Sequence, residues 1–431
     1  MTLEEVLSEH INRYPKMQIQ DVVKLIYQNE FGGEHLVKDA NESLIKLEQE
    51  VDLLKKDAFN NAGSHNNAGN RKTAGNHNNA NNHKTAGNHN NANINNIGLI
   101  ENIESIELFE DIGNNLARIN LLPIVINCNG IGVNIENNPS AAENKAESSV
   151  HGMDGINVEL ATVNCFFVNT ANSVSGNKER FEEKLEIFIK CCKNGLLPFS
   201  VDEVKEYLKK YKEKGYPPLS HSEIYRFAYK PSYRVVDIRY LKFFEIFNRI
   251  DSLLKTKDVV NIAIDGNCSA GKSTLADFIG KVYDCNIFHM DDFFLPEEMR
   301  TKERLNETGG NVDYMRFKEE VIDGIKSGKE FQYQKYDCKL GEFREVVNVK
   351  PKRLNIIEGS YSMHPTLKES YDLKIFLKID EDTQRKRILK RSSANMYKMF
   401  AELWIPLENK YFSEMKIEEQ SDLVYININS F

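Results

Sequence analysis

One stretch constrains this chain more than any other. An apolar, β-branched run from Val259 to Ile264 (VVNIAI) passes almost directly into Gly266–Thr274 (GNCSAGKST), and Leu275–Val282 follows at helical spacing. Short runs of this kind form buried parallel strands, and a GxxxxGK[ST] pattern between strand and helix has the context that a bare match lacks. The residue types follow from holding phosphate. Gly266 and Gly271 let the backbone curl, so that N–H groups along Asn267, Cys268, Ser269 and Ala270 and the helix N-terminus face the phosphates of a nucleotide. Lys272 neutralises phosphate charge, Ser273 offers its hydroxyl to Mg²⁺, and Thr274 completes the run. The bland alternative is a glycine-rich structural turn.

Further strands repeat one theme, an acid at the strand's carboxyl end. Asn286–Met290 ends at Asp291 and Asp292, where parallel α/β sheets bind ligands, and Asp291 is placed to take a proton from a hydroxyl. Leu354–Ile357 ends at Glu358, suited to Mg²⁺. Leu373–Ile379 ends at Asp380 and precedes a helix carrying Arg385, Lys386, Arg387, Lys390 and Arg391, one face of which can close over phosphates. Leu423–Ile428 completes a set of five strands alternating with helices, which implies a parallel sheet covered on both sides. Turn-capping acids and a solvated cationic face are the competing readings.

The length of 431 residues favours more than one folding unit. Net charge is −8 with the two signs interspersed, which argues against a nucleic-acid or membrane-surface partner. The seven cysteines show no metal or disulfide spacing, and no leader or membrane-length apolar run is visible, so a reducing cytoplasm is expected.

Four segments are expected. Residues 1–59 read as helices, with Gln20–Tyr27 and Ser43–Leu54 at helical period. Residues 60–97 are an Asn-rich low-complexity insertion in which KTAGNHNNAN occurs at Lys72–Asn81 and again at Lys84–Asn93. Its histidines at 65, 77, 83 and 89 lack the fixed spacing of a metal site. Residues 98–254 read as a mainly helical domain with a loop at 129–155, helices at Lys178–Cys192 and Val201–Lys212, and a helix at Tyr240–Leu254. Residues 255–431 form the phosphate-binding domain. Leu219–Val236 (LSHSEIYRFAYKPSYRVV) is dense in polar groups from Ser220 to Arg234, which fits either a polar site or a hydrogen-bonded junction.

From Val259 onward the motifs GNCSAGKST, HMDDFF, GGNVDYMRF, YQKYDCKLGEF and IIEGSYSMHP resemble those of the uridine kinase and phosphoribulokinase group of P-loop kinases. The resemblance implies a five-stranded parallel sheet of order 2-3-1-4-5 and an ATP- and Mg²⁺-dependent kinase acting on a hydroxyl of a small-molecule acceptor. A uridine- or cytidine-like nucleoside comes first, with pantothenate, glycerate or a sugar phosphate behind it. It also implies Asp291 as general base, Asp313 gripping ribose hydroxyls, Tyr336 and Asp337 lining the acceptor pocket, Glu358 and Ser273 at the metal, and Arg387 and Arg391 on ATP phosphates. A histidine usual after the pocket Tyr-Asp is replaced by Lys339, Leu340 and Gly341. Other open options are a homo-oligomer, and a nucleotide-dependent switch coupled to a macromolecule bound by the amino-terminal part.

Overall fold

The computed structural model describes residues 1–33, 37–63, 107–127, 156–338 and 340–426. The Asn-rich repeat with its histidines, the 129–155 stretch and Lys339 lie outside these residues. Of the expected insertion, residues 60–63 continue the helix Ala40–Gly63. The described residues divide into two compact units. One holds the residues up to 127 together with Thr170–Leu241, and the other holds 156–169 together with Lys242 onward.

The first unit is built on helices Leu3–Arg13, Ile19–Phe31, Lys178–Lys193 and Val201–Glu213. Thr2 and Glu5 close the first helix's start with a reciprocal capping box, and Gly32 ends the second in the left-handed conformation that glycine adopts at least cost. Val6, Val22, Val23, Leu25, Ile26, Phe181 and Phe188 form its core. The helical expectation for this region omitted a three-stranded antiparallel sheet of β1 (Phe109–Gly113), β2 (Leu116–Asn120) and β3 (Tyr233–Asp237). Asn114 and Asn115, both at positive φ, make the tight turn that pairs β1 with β2.

The second unit centres on β4 (Val260–Gly266), every residue of which is buried. The other strands are β5 (Cys285–His289), a hairpin of β6 (Phe331–Asp337) and β7 (Glu342–Val349), then β8 (Leu354–Glu358), β9 (Leu373–Lys378) and β10 (Leu423–Ile426). The five-stranded sheet runs β10-β9-β4-β8-β5 with every neighbouring pair parallel. Counted along the chain, this is the order 2-3-1-4-5, the P-loop kinase fold. Removing a β4 side chain such as Ile262 or Ile264 from water contributes roughly 1.5–3 kcal/mol, and its neighbour β8 is buried along its whole length as well.

Helix Phe244–Thr256 backs this unit. It starts only after a break at Phe243, so the helix expected from Tyr240 is two pieces, Ile238–Lys242 and Phe244–Thr256. Residues 156–169 join the unit through this second piece. Asn157 N donates to Asn248 Oδ1 at 2.6 Å, Glu159 N donates to Asp251 Oδ2 at 2.8 Å, and Phe166 meets Phe247 edge-on at 4.8 Å. No helix among the described residues is long and apolar enough to cross a membrane.

Candidate active site

The loop after β4 has the backbone that its sequence demands. Gly266 has φ +136°, and a Cβ there would come within 2.1 Å of the Leu377 carbonyl oxygen, so only glycine fits. Gly271, at φ +104°, starts the helix Lys272–Gly280. Ser269 between them is also left-handed, at φ +63°. Such alternation turns successive N–H groups into one concavity at a helix N-terminus, a geometry that suits phosphate oxygens.

Lys272 lies back over its own loop. Its ammonium donates to Gly266 O at 2.8 Å, Asn267 O at 3.0 Å and Ser360 Oγ at 3.2 Å. Ser273, the next residue, donates to Glu358 Oε1 at 2.9 Å, so the two expected metal ligands meet across β4 and β8. A hydroxyl and a carboxylate are hard oxygen donors of the kind Mg²⁺ takes, with water and phosphate oxygens filling its remaining positions. Among the described residues no group of three or more His, Cys, Asp and Glu side chains forms a self-sufficient metal site.

His289 was not singled out by the sequence. Its Nδ1 lies 2.5 Å from the same Glu358 oxygen, and this hydrogen bond, with the carboxylate charge, raises the imidazole pKa. Its signal was available in hindsight as the polar end of an apolar strand, just before the expected base.

Asp291 is the second residue of the turn Met290–Phe293 after β5 and is exposed. The protein packed around it nonetheless raises its pKa, with Glu358 and Asp292 adding and the charges of Lys272 and His289 opposing. Lys272, Glu358 and Asp291 therefore share one electrostatic neighbourhood. An exposed acid with a raised pKa beside such a loop can exchange a proton with an alcohol.

The residues expected to line an acceptor lie near Arg316, which the sequence reading did not single out. Asp313 caps the short helix Tyr314–Phe317 by accepting from Arg316 N at 3.1 Å, and its carboxylate lies 3.6 Å from the Arg316 guanidinium. Arg316 also donates to Asp292 O at 3.1 Å and Gln334 O at 2.6 Å, and lies over the rings of Phe293 and Phe343. It thus fastens the Asp313 turn, the Asp291 turn and the hairpin to one another. Tyr336 is buried with its ring edge-on to Phe343, while Asp337 sits 3.8 Å from Arg344. Burial raises the pKa of the Cys338 thiol beyond them, Arg300 opposes, and the charges of Asp291 and Asp337 add to the rise.

The cationic helix Glu381–Arg391 brings two of its arginines onto the loop. Arg387 donates to Ser269 O at 3.1 Å, and Arg391 contacts Cys268 Sγ at 3.1 Å. Gln384, on the same helix, donates to Cys268 O at 3.0 Å. Arg385 instead leans toward the Tyr397 ring.

Two further buried acids escaped sequence reading. Asp265, fully buried before Gly266, accepts from Gly266 N, Tyr361 N, Met363 N and Tyr411 OH at 2.7–3.2 Å. Burial still pushes its pKa up to about 6. Glu408, on helix Ile405–Glu414, accepts from Cys268 N at 2.9 Å and Ser360 Oγ at 2.7 Å, and burial raises its pKa too.

The polar segment Ser220–Arg234 lies in the other unit, where its groups pair with helix Ile19–Phe31. Asp21 accepts from His221 Nδ1, Ser222 N and Ser222 Oγ. Ser220 O accepts from Gln20, and Tyr233 OH lies 2.6 Å from His221 Nε2. These bonds fasten the segment to that helix within the first unit.

No family model matches the chain, and no curated protein does. Among solved structures, a possible uridine kinase from Bacillus stearothermophilus is 20% identical, with 42% of this chain and 99% of that one covered and a TM-score of 0.32. A protein described as a fructose transport system kinase from Silicibacter is 17% identical over 43% of this chain and 97% of that one, at a TM-score of 0.34. Shikimate kinase from Bacteroides thetaiotaomicron is 11% identical over 39% and 86%, at 0.22.

Proposed function

We propose that the second unit is an ATP-dependent phosphotransferase that moves the γ-phosphoryl group to a hydroxyl of a small molecule, with a uridine- or cytidine-like nucleoside as the first acceptor to test. The observation that carries this reading is the convergence of Lys272, the Ser273–Glu358 pair and Asp291 around one glycine-shaped loop. A loop that only binds nucleotide has no use for an exposed carboxylate with a raised pKa in the same neighbourhood.

In this reading the N–H groups of Ser269 and Gly271–Thr274 hold the phosphates, since those of Asn267, Cys268 and Ala270 already donate to Leu377 O, Glu408 and Asn267 O. Lys272 exchanges the carbonyls of Gly266 and Asn267 for β- and γ-oxygens. Arg387 and Arg391, already on the loop, balance charge on the transferred group. Ser273 and Glu358 would hold Mg²⁺, which when bound neutralises charge on the β- and γ-oxygens. The acceptor hydroxyl gives its proton to the Asp291 carboxylate as its oxygen bonds to phosphorus; the bond from phosphorus to the bridging oxygen breaks, and ADP leaves. Asp313, Tyr336 and Asp337 would line the acceptor's place, and Arg316 holds the turn and hairpin that carry them. ATP hydrolysis indifferent to every acceptor would instead favour the nucleotide-dependent switch.

The test is ADP release by the full chain with MgATP against a panel of uridine, cytidine, pantothenate, glycerate and sugar phosphates. Acceptor-dependent turnover supports the kinase, and its substrate ranking names the acceptor. Absence of MgATP binding would sink the reading altogether.

A further inference from the structure

The helix Ile405–Glu414 grips the phosphate loop at two places. Tyr411 donates to Asp265 at 2.9 Å, just before Gly266, and Glu408 accepts from the Cys268 amide at 2.9 Å, inside the loop. Glu408 is 7% exposed, and both of its oxygens are engaged. The second oxygen takes the Ser360 hydroxyl at 2.7 Å, and Ser360 Oγ in turn accepts from the Lys272 ammonium at 3.2 Å. A chain of ammonium, hydroxyl and carboxylate therefore links the loop's lysine to a buried acid 136 positions further along the sequence.

A buried carboxylate beside a phosphate site is expensive twice over. It loses hydration, and it repels the anion the loop binds. Geometry offers a compensating role, because charge-assisted hydrogen bonds are strong and directional. We infer that Glu408 is a positioning residue of the nucleotide site: it holds the Cys268 amide and, through Ser360, the Lys272 side chain, so that loop and lysine are aligned for transfer at some cost in nucleotide affinity. This inference rests on the kinase reading for its effect on turnover, but not for its effect on the loop itself.

Three variants test it. Glu408→Gln keeps length while deleting the charge and leaving one acceptor oxygen where the carboxylate has two, so it separates alignment from packing. Its kcat falls about tenfold or more, as misalignment of a transfer site does. The KM for ATP stays level or falls, because one negative charge beside the triphosphate is gone. Ser360→Ala breaks the same link, so its loss of kcat is not additive with that of Glu408→Gln. Glu408→Ala frees the Cys268 amide, and hydrogen exchange over residues 266–274 speeds up in nucleotide-free protein, relative to strands β8 and β9.

A kcat unchanged in both Glu408→Gln and Ser360→Ala would overturn the inference. So would a rise in ATP KM matching the fall in kcat, or Cys268-segment exchange in Glu408→Ala that equals wild type. Wild-type protein that binds no MgATP would overturn the kinase reading instead, and the exchange measurement would then decide the loop-holding role alone.

Discussion

In the amino-terminal unit, Glu110 is buried between Arg118, Arg13 and His10, whose contacts outweigh burial and hold its pKa well below the usual carboxylate range. Asp21 and Glu30 follow the same pattern: burial acts upward, and the bonds from His221 and Ser222, or from Lys184 and Asn177, win. In the P-loop unit the sign is reversed. Asp265, Asp291, Asp292 and Glu408 are all raised, burial being the largest cause in each, and Lys272 cannot neutralise them all. One unit pairs its acids to fix a fold. The other leaves Asp265, Asp291 and Glu408 in excess around Lys272, with Asp292 beside Lys335, which is how working sites tend to differ from structural ion pairs.

The largest effect that bears on this contrast is at Asp291. Asp291→Asn is expected to lower kcat by roughly 10²–10⁴-fold, the range for loss of a general base, with little change in ATP binding. Lys272→Ala should abolish turnover and weaken ATP binding as well. Steady-state turnover beside direct nucleotide titration separates the two. Near-normal rates for Asp291→Asn would remove the base from the site and leave the raised acids without a catalytic reading.

Glu110→Gln probes the paired side. It removes the carboxylate charge opposite the Arg118 guanidinium, 1% exposed, which also donates to Gln28 Oε1. Breaking a buried ion pair from one side typically costs about 3–5 kcal/mol. Chemical denaturation should show that loss, and a cost under about 1 kcal/mol would mean that the cluster is wet or loosely held.

Acid should then act on the two units in different order. A lowered carboxylate contributes stability that is complete above its unfolded value and drains only as pH falls through its folded value. Glu110, Asp21 and Glu30, with ordinary values of 4.5, 3.8 and 4.5, therefore keep supporting their unit as pH falls to about that level. Asp265 behaves oppositely: its contribution is full below 3.8 and is lost as pH rises through about 6. Asp291 must be ionised to act as base, so kcat/KM falls on acidification with a midpoint above 3.8. Activity should vanish before the amino-terminal unit melts. A rate that stays flat down to pH 4 would contradict the raised value at Asp291.

What the sequence revealed follows the range of the interactions involved. The loop and the acids at strand ends are local patterns, each readable within about ten residues, whereas the sheet order came only with the family resemblance. Glu408, Asp265, Arg316 and Gln384 act through partners distant in sequence, and no spacing rule points from Glu408 to Cys268. The β1–β2 hairpin was different. Asn114–Asn115 between FEDIG and LARIN is a turn signal in plain view, but strands this short, carrying Arg118 and Glu110 into the core, do not show apolar alternation. The attachment of 156–169 to the P-loop unit rests on Asn248 and Asp251, again a long-range pairing.

The smallest predicted difference lies within one ion cluster of the amino-terminal unit. Glu30 is 1% exposed and binds both Lys184, at 2.7 Å and 18% exposed, and Arg180, at 2.9 Å and 58% exposed. The same acid thus has one shielded partner and one in water. Arg180→Ala should cost only about 0.2–1 kcal/mol, since solvent screens the pair and the long side chain regains its freedom. Lys184→Ala removes a shielded charge-assisted bond and should cost about 1.5–3 kcal/mol, because Lys184 also donates to Asn29 Oδ1 at 2.5 Å. Equal costs for the two, measured by denaturation in low and high salt, would show that charge alone sets the pairing. A larger cost for Lys184 that salt leaves unchanged would show that burial decides which ion pairs hold this unit together.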